Sequence, residues 1–478
     1  MTFPAKVTTV LLPTNMFQLL QQLHDRLTRQ LSPATAIDPL TVLPVELAEM
    51  VLEYLSFRQM VNCMRVSKGW RDYLSKLPRL WMHLDLSGAR KPVPRSFINQ
   101  AFRRSESRMS RATIHRFEHM DVLNNLEQAA KELSELELIS LPHTMSTTLI
   151  DIIKHAPGLK KLVLHPEVTR DTVVQILGTR PALKHVAFNA VNRSSYRADW
   201  TGPFAELTTL DMHFAATTGA DGVNMTTLLS KSPSLQSLSL SNLTSFTPGG
   251  GWPEDASQFP PLTSLVLKRL FGGEPHYPVF PPTLQRLVVE HGNHRDISRI
   301  TPTSIIRSSL PELTHLTLAN CGWTAERLEQ LLDLYLDDTQ TVRSLEGAKP
   351  LAHLSVRGLA LSDPSFFKGP DSLFGRSPRI LTKALEALDV ATLAVDDDEI
   401  EHLLTYELGL RSIDLSHTNI TGASIKMLAD KLPILERIKA DNCTRINGRD
   451  AIHYAQRKGI TVSCQMGEQK GGRKTRYG

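Results

Sequence analysis

The stretch LRSIDLSHTNITGASIKMLADKLPILERIKADNC, residues 410–443, decides the fold. Leu410, Ile413 and Leu415 open it with apolar residues at the first, fourth and sixth places, and Leu435, Ile438 and Ala440 repeat that spacing near its end. Between them Ile425, Leu428, Ala429 and Leu432 follow Thr421-Gly422 at i, i+3, i+4 and i+7, the period of a helix with one apolar face. Alternation at the fourth and sixth places is the period of a strand. A strand followed by a helix that returns the chain to an equivalent strand cannot cover its own leucines. It needs a copy of itself on either side.

Those copies are present. The same pattern starts at Leu385, Leu351, Leu313, Leu284, Leu262, Leu235, Leu207, Leu183, Leu159 and Leu133, twelve in all with Leu410 and Leu435, mostly 22 to 29 residues apart. Weaker versions at Trp81-Leu84-Leu86 and Met109-Ala112-Ile114 extend the series towards the N-terminus. The spacing predicts an α/β leucine-rich-repeat solenoid over residues 85–465, a curved parallel sheet of about 12–14 repeats with helices or loops outside. Cys321 and Cys443 stand at the ninth place, where a small buried polar group bonds the backbone of the turn. In this the segment 410–443 resembles the cysteine-containing repeat subclass. Stretches rich in Pro, Gly and polar residues at 244–261, 272–282, 291–304, 337–350 and 361–378 read as loops or insertions.

With 478 residues, 41% of them hydrophobic and 22% charged, the chain has material for a core and too balanced a charge for a disordered polyelectrolyte. A net charge of +5 over that length implies no general field for nucleic acid or membrane, so neither direct sequence-specific nucleic-acid binding nor membrane contact is expected. No apolar run approaches the ~20 residues that cross a bilayer. The opening MTFPAKVTTVLLPTNMF is broken by Pro13 too early for a secretory signal, and a nuclear or cytoplasmic address is expected. Cys63, Cys321, Cys443 and Cys464 include no CxxC pair, which speaks against a disulfide framework or a cysteine-rich zinc site. The sequence holds no Gly-rich phosphate loop, GxSxG elbow or HExxH pair, so catalytic residues, a cofactor and a metal are not expected.

Residues 41–84 follow a different period, with TVLPVELAEMVLEYLSFRQMVNCMRVSKGWRDYLSKLPRLW at 41–81. Thr41 reads as a cap region and Pro44 as a first-turn residue of a helix carrying the stripe Leu47, Val51, Leu52 and Leu55. Arg58 to Arg65 reads as a second helix, and Ser67 as the cap of a third bearing Trp70, Tyr73 and Leu74. Three short helices make a core too small to stand alone, so a surplus apolar face needs a partner. A helical cap for the solenoid is the other reading.

The run Leu43-Pro44-x-Glu46-Leu47, Val51-Leu52-x-x-Leu55, Val61-x-Cys63-x-x-Val66, Trp70 and Leu80-Trp81 resembles an F-box, with Ser67 where a Cys is frequent. The resemblance implies docking to the Skp-type adaptor of SCF ubiquitin ligases through Leu43, Pro44, Glu46, Leu47, Val51, Leu52 and Leu55, with Cys63, Val66 and Trp70 fixing the trihelical face. A cullin–RING core would then be an indirect partner. Over 41–465 the chain is similar to F-box/leucine-rich-repeat receptors. LEYLSFRQMVNCMRVSKGWRDYL, LDLSGARKPVPRSF and ISLPHTMS resemble the fungal branch whose longer members carry tetratricopeptide repeats ahead of the F-box and act in nuclear ubiquitylation linked to replication and genome integrity. The implied function is that of a non-catalytic substrate receptor, presenting a protein target for ubiquitination and proteasomal degradation. The alternative is a repeat scaffold whose F-box contact regulates its own turnover. Residues 1–40 read as a helical or flexible extension, with Met16, Leu19, Leu20, Leu23 and Leu27 along one helix face, and 466–478 as a basic flexible tail.

In such a repeat the third, fifth and seventh places face the concave side. That face carries His165, His185, Asp211, His213, Arg286, Glu290, His315, His353, Arg357, Asp389 and Asp414 as candidate substrate-binding residues. A solvated face with no partner would have the same composition. The strands from Arg286 to Arg357 are expected to receive any acidic or phosphorylated segment, since Arg offers bidentate contacts to carboxylate or phosphate. His165 and His213, two repeats apart, would stand ~10 Å from one another at ordinary strand spacing, too far to share one metal ion. Asp396-Asp397-Asp398-Glu399 ahead of Ile400 reads as negative charge at a helix N-terminus, favoured by the helix dipole.

Overall fold

The computed structural model describes residues 38–115, 126, 130–139, 146–192, 200, 202–215, 225–242, 253, 255–270, 280–291, 310–320, 335–336, 342–343, 348–358, 365–369, 372, 374–375, 377 and 379–465. The expected helix at 16–27, Cys321 and the basic tail 466–478 lie outside the described residues. The chain divides into two compact units, one ending at Trp81 and one beginning at Met82.

The first unit is a set of short helices: α1 (Pro39–Val42), α2 (Val45–Glu53), α3 (Phe57–Cys63), α4 (Lys68–Ser75) and α5 (Pro78–Trp81). Their starts are written in the sequence. Ser56 and Gln59 form a reciprocal capping box on α3, and the Ser67 hydroxyl accepts from Trp70 N at the start of α4, as expected. Pro44 is the residue before α2 rather than within its first turn. The unit also begins earlier than residue 41. Asp38 caps α1 through Leu40 N, and its Oδ1 accepts from the Trp70 indole at 2.9 Å, tying α1 to α4. Trp81 is fully buried, edge-on to Phe57 at 5.9 Å, and its indole N–H donates to Leu74 O.

The second unit contains one parallel sheet of 15 strands in chain order. Its first third is β1 (His83–Asp85), β2 (Arg111–Ile114), β3 (Glu135–Leu138), β4 (Lys161–Thr169) and β5 (His185–Asn192). β6 (Thr209–Phe214), β7 (Ser237–Ser241), β8 (Ser264–Leu270), β9 (Arg286–His291) and β10 (His315–Ala319) follow. β11 (His353–Ser355), β12 (Ala387–Asp389), β13 (Ser412–Asp414), β14 (Arg437–Lys439) and β15 (Thr461–Ser463) complete it. Equivalent places of successive repeats lie opposite one another, as Lys161 with His185 and Arg286 with His315. The first, fourth and sixth places point inward: Leu159, Leu162 and Leu164 have no exposed surface, nor do Leu313, Leu316 and Leu318. At about 1.5–3 kcal/mol for each fully buried leucine, this interior column is the main source of stability.

Two boundaries differ from the sequence reading. His83 and Leu84, placed in the helical module by the pattern, belong to β1. The sheet has fifteen strands rather than 12–14, because β15 has Gly459 and Cys464 at its first and sixth places, where the repeat pattern has large apolar residues.

At seven of the repeats the end of the strand depends on a residue the leucine spacing does not reveal. At the eighth place Asn242, Arg269, Asn320, Thr392, His417 and Asn442 all have φ between 52° and 67°, and Gly358 has φ 68°. This left-handed step aims the backbone N–H at the next repeat, so that Asn320 N donates to Arg357 O, Thr392 N to Ser416 O and Asn442 N to Gln465 O. The parallel ladder is thereby continued past the strand. Asn and Gly adopt this conformation readily, whereas a β-branched residue is strained there by roughly 1–2 kcal/mol.

Charged groups knit the C-terminal repeats. Asp396 caps α6 (Asp397–Leu403) as expected, but Asp397 also accepts from Thr421 N and Oγ1 and from the Ser424 hydroxyl of the following repeat. Glu399, almost fully buried, accepts from Phe367 N, fixing a segment inside the 361–378 insertion whose Phe366, Phe367 and Phe374 rings pack with one another. Phe366, Phe367 and Phe374 of that insertion are therefore part of the core. Arg379 is 1% exposed and donates to Lys349 O, Leu310 O and Leu313 O at 2.9 to 3.2 Å, clamping the segments that lead into β10 and β11.

Thr392→Asn is expected to raise stability by about 0.5–1 kcal/mol, visible as a higher urea midpoint of the full chain, because the left-handed step then carries less strain. Arg379→Ala is expected to lower stability by about 3 kcal/mol or more, since a side chain 1% exposed is removed together with its three hydrogen bonds to carbonyls. An unchanged midpoint for either variant contradicts the corresponding account.

Candidate docking surfaces

Helix α2 is apolar on two faces. Ala48 and Leu52, four residues apart, are buried. Leu47, Met50, Val51 and Tyr54, at i, i+3, i+4 and i+7, form a second stripe that is 45 to 64% exposed. With 3.6 residues per turn the two stripes lie about 130° apart around the helix. Of the eight large apolar side chains exposed among the described residues, seven fall between Val42 and Val66, the other being Ile434. Such a concentration of open apolar surface marks a binding face.

Most of the expected docking residues are accessible, but they do not share one role. Pro44, Glu46, Leu47, Val51 and Val66 are exposed, and Leu43, Leu55, Cys63 and Trp70 are half-buried, Trp70 held by Asp38. Leu52 is a correction. It is 4% exposed, so it packs inside this chain instead of facing outward. Val45, Met50 and Tyr54 were missed because Leu47, Val51, Leu52 and Leu55 had been read as one stripe. The spacing 47-50-51-54 is the signal that separates them.

On the sheet, the eleven candidates spread from β4 to β13, roughly 40 Å along the curve at ordinary strand spacing, and so cannot form one small site. Several are already engaged. His165 Nε2 is 3.0 Å from Glu137 Oε1, and its Nδ1 is 2.7 Å from Asn189 Nδ2. That hydrogen bond from His165 outweighs burial and holds the Glu137 carboxyl below its ordinary value. His213 lies 3.2 Å from Asp211. Asp389 and Asp414 accept through Oδ1 from the backbone N–H two residues on, at Ala391 and Ser416, forming the turn after the strand. Their Oδ2 atoms take Ser355 Oγ at 2.8 Å and Lys439 Nζ at 2.9 Å. These two aspartates build the repeat, as Asp85 does by accepting from Ser87 N.

His185 is half-buried, and desolvation, reinforced by Lys161, lowers its imidazole below the ordinary value. Glu290 and Arg357 occupy the seventh place, beyond the row of Arg286, His315 and His353. The latter three are directly opposite one another on β9, β10 and β11. Among the described residues no group of three or more His, Cys, Asp or Glu is placed to hold a metal ion. Cys443 is structural, its thiol donating to Leu415 O at 3.0 Å. Burial, with Cys443 and Asp441 nearby, pushes the Cys464 thiol up, away from the nucleophilic thiolate form.

Comparison with known proteins agrees with this division. Residues 40–87 match the F-box-like family. The F-box/TPR repeat protein pof3 of Schizosaccharomyces pombe is 30% identical over 139 residues, which amount to 27% of this chain and 23% of that protein's length. Among solved structures, the Rad7 and Elc1 complex of yeast aligns over 90% of this chain and 98% of that one at 16% identity and a TM-score of 0.41. An internalin, InlF of Listeria monocytogenes, aligns over 72% of this chain and 83% of its own at 13% identity and a TM-score of 0.37. The chain thus carries an F-box-like match at residues 40–87, within which α2 presents an apolar face that is open among the described residues, followed by a parallel repeat sheet of 15 strands.

The two stripes of α2 make separable predictions. Leu52→Ala is expected to cost about 2–4 kcal/mol in urea unfolding of the full chain, whereas Leu47→Ala stays within about 0.5 kcal/mol of the unaltered protein. Equal losses would mean that both faces are packed.

Proposed function

We propose that this chain is the substrate-recognition subunit of an SCF-type ubiquitin ligase. The observation that carries the reading is the stripe Leu47, Met50, Val51 and Tyr54 within the F-box-like domain, an apolar surface shaped as one helix face and exposed among the described residues. A Skp-type adaptor is the proposed occupant, with the cullin–RING core reached through it. The solenoid would hold a protein target by its concave face. No step of ubiquitin transfer is assigned to the chain itself. Its contribution is proximity, which raises the effective concentration of target lysines at the conjugating enzyme, so that the outcome for the target is ubiquitination and degradation. A nuclear place of action and a link to replication rest on the sequence resemblance alone and complete the proposal.

The double variant Leu47→Asp, Val51→Asp introduces two charges into the stripe without disturbing Ala48 or Leu52. In affinity capture it is expected to lose the Skp-type adaptor and the cullin together while the purified protein keeps its circular dichroism and urea midpoint. Normal recovery of the cullin by that variant overturns the assignment. Adaptor capture by the unaltered chain, with no protein accumulating when the chain is deleted, would favour the scaffold reading instead.

A further inference from the structure

Among the concave-face groups, one set is left with positive character and no carboxylate of its own. Arg286, His315 and His353 stand opposite one another at the third place of three successive strands. The two imidazoles stack, with centroids 5.9 Å apart and planes 14° from parallel. Thr314 Oγ1 is 2.9 Å from His315 Nδ1, while His353 has no hydrogen-bond partner and Arg286 no ion pair among the described residues. The row ends in neutral side chains, Ser264 on β8 and Ala387 on β12. By contrast His165 and His213 each have a carboxylate of the same face within 3.2 Å.

We propose that Arg286, His315 and His353 form an anion-binding row that receives an acidic or phosphorylated peptide segment lying across β9, β10 and β11. This rests on the receptor reading and specifies the chemistry of its target. A guanidinium beside two imidazoles offers donors at successive strand spacings of about 4.8 Å, close enough for one carboxylate or phosphate of a peptide to lie between two of them. Nucleic acid fits less well. The row is three strands long with Arg286 as its one permanent cation, and the same face carries Glu135, Glu137, Asp211, Asp389 and Asp414, which oppose a continuous phosphate backbone.

The row also couples binding to protons. Burial, then the charge of Arg286, holds His315 below its ordinary value, opposed by Glu386. For His353, burial acts first, then His315 and Arg286, opposed by Asp389. Glu290 and Arg357, both at the seventh place on flanking strands, complete the charged groups around the row. Both rings are therefore neutral near pH 7 in the free protein. An anion beside them favours the imidazolium, so binding takes up protons and affinity increases as pH falls.

The test uses the full chain and three fluorescein-labelled peptides of equal length: one with several phosphoserines, one with glutamate at those positions, and a neutral Gly-Ser control. Anisotropy is expected to show the phosphoserine peptide, the glutamate peptide or both binding above the control, at least about threefold more tightly at pH 5.8 than at pH 7.5. Which of the two binds distinguishes phosphate from carboxylate. Arg286→Gln, His315→Asn and His353→Asn together should abolish the difference from the control yet leave adaptor capture intact, while Leu47→Asp, Val51→Asp should do the reverse. The proposal is overturned by binding of neither anionic peptide, by unchanged binding in the triple variant, by affinity that does not rise at lower pH, or by tighter binding of a single-stranded oligonucleotide than of either peptide.

Discussion

Everything in the second unit depends on covering leucines that a single repeat cannot bury. Each strand turns its first, fourth and sixth side chains to the interior, and only the strand and return segment of the next repeat shut water away from them. Because the contact is between neighbours, the interior is a column rather than a sphere. It tolerates insertions between strands so long as the registers of the three inward places are kept, as they are from β10 to β11 and from β11 to β12.

Keeping that register across irregular segments requires polar groups with directional bonds. The left-handed eighth residue carries the ladder beyond the strand at a turn where the chain must leave the sheet. Arg379 performs the same task in the interior, its planar fork meeting three carbonyls that have no strand partner. Asp397 and Glu399 do it for the helical side, accepting backbone N–H groups of an adjacent repeat and of the aromatic insertion. Arg379 and Asp397 are tolerated there because their charges are hydrogen-bonded to neighbouring segments, whereas burial raises the Glu399 carboxyl above its ordinary value, towards the neutral form.

The first unit solves the opposite problem. With so few residues its helices bury one side, Ala48, Leu52, Met60, Met64 and Leu74, and leave another side apolar and open. The capping residues Asp38, Ser56 and Ser67 fix the helix starts, so that the open stripe on α2 is presented on a defined frame. A rigid apolar stripe binds with little ordering cost, which is what a constitutive docking element requires.

The solenoid, the Ser67 cap and the helix start behind Asp396 to Glu399 were legible from local spacing, because alternation, capping and charge at a helix end are properties of a few consecutive residues. The fifteenth strand was not, since Gly459 and Cys464 hide its period, nor was the role of Asp38, whose partner Trp70 is distant in sequence. On the concave face, residue type alone could not rank the histidines: His165 and His315 read alike until the sheet sets Glu137 beside one and Arg286 beside the other. Sequence by itself determined the repeat, the helical module and the side of each strand that faces inward, all consequences of periodicity. Only the tertiary structure decided that Leu52 is core while Leu47 is surface, and which charged groups neutralise one another. Those outcomes depend on what lies across a gap of one strand or one helix, which no local pattern specifies.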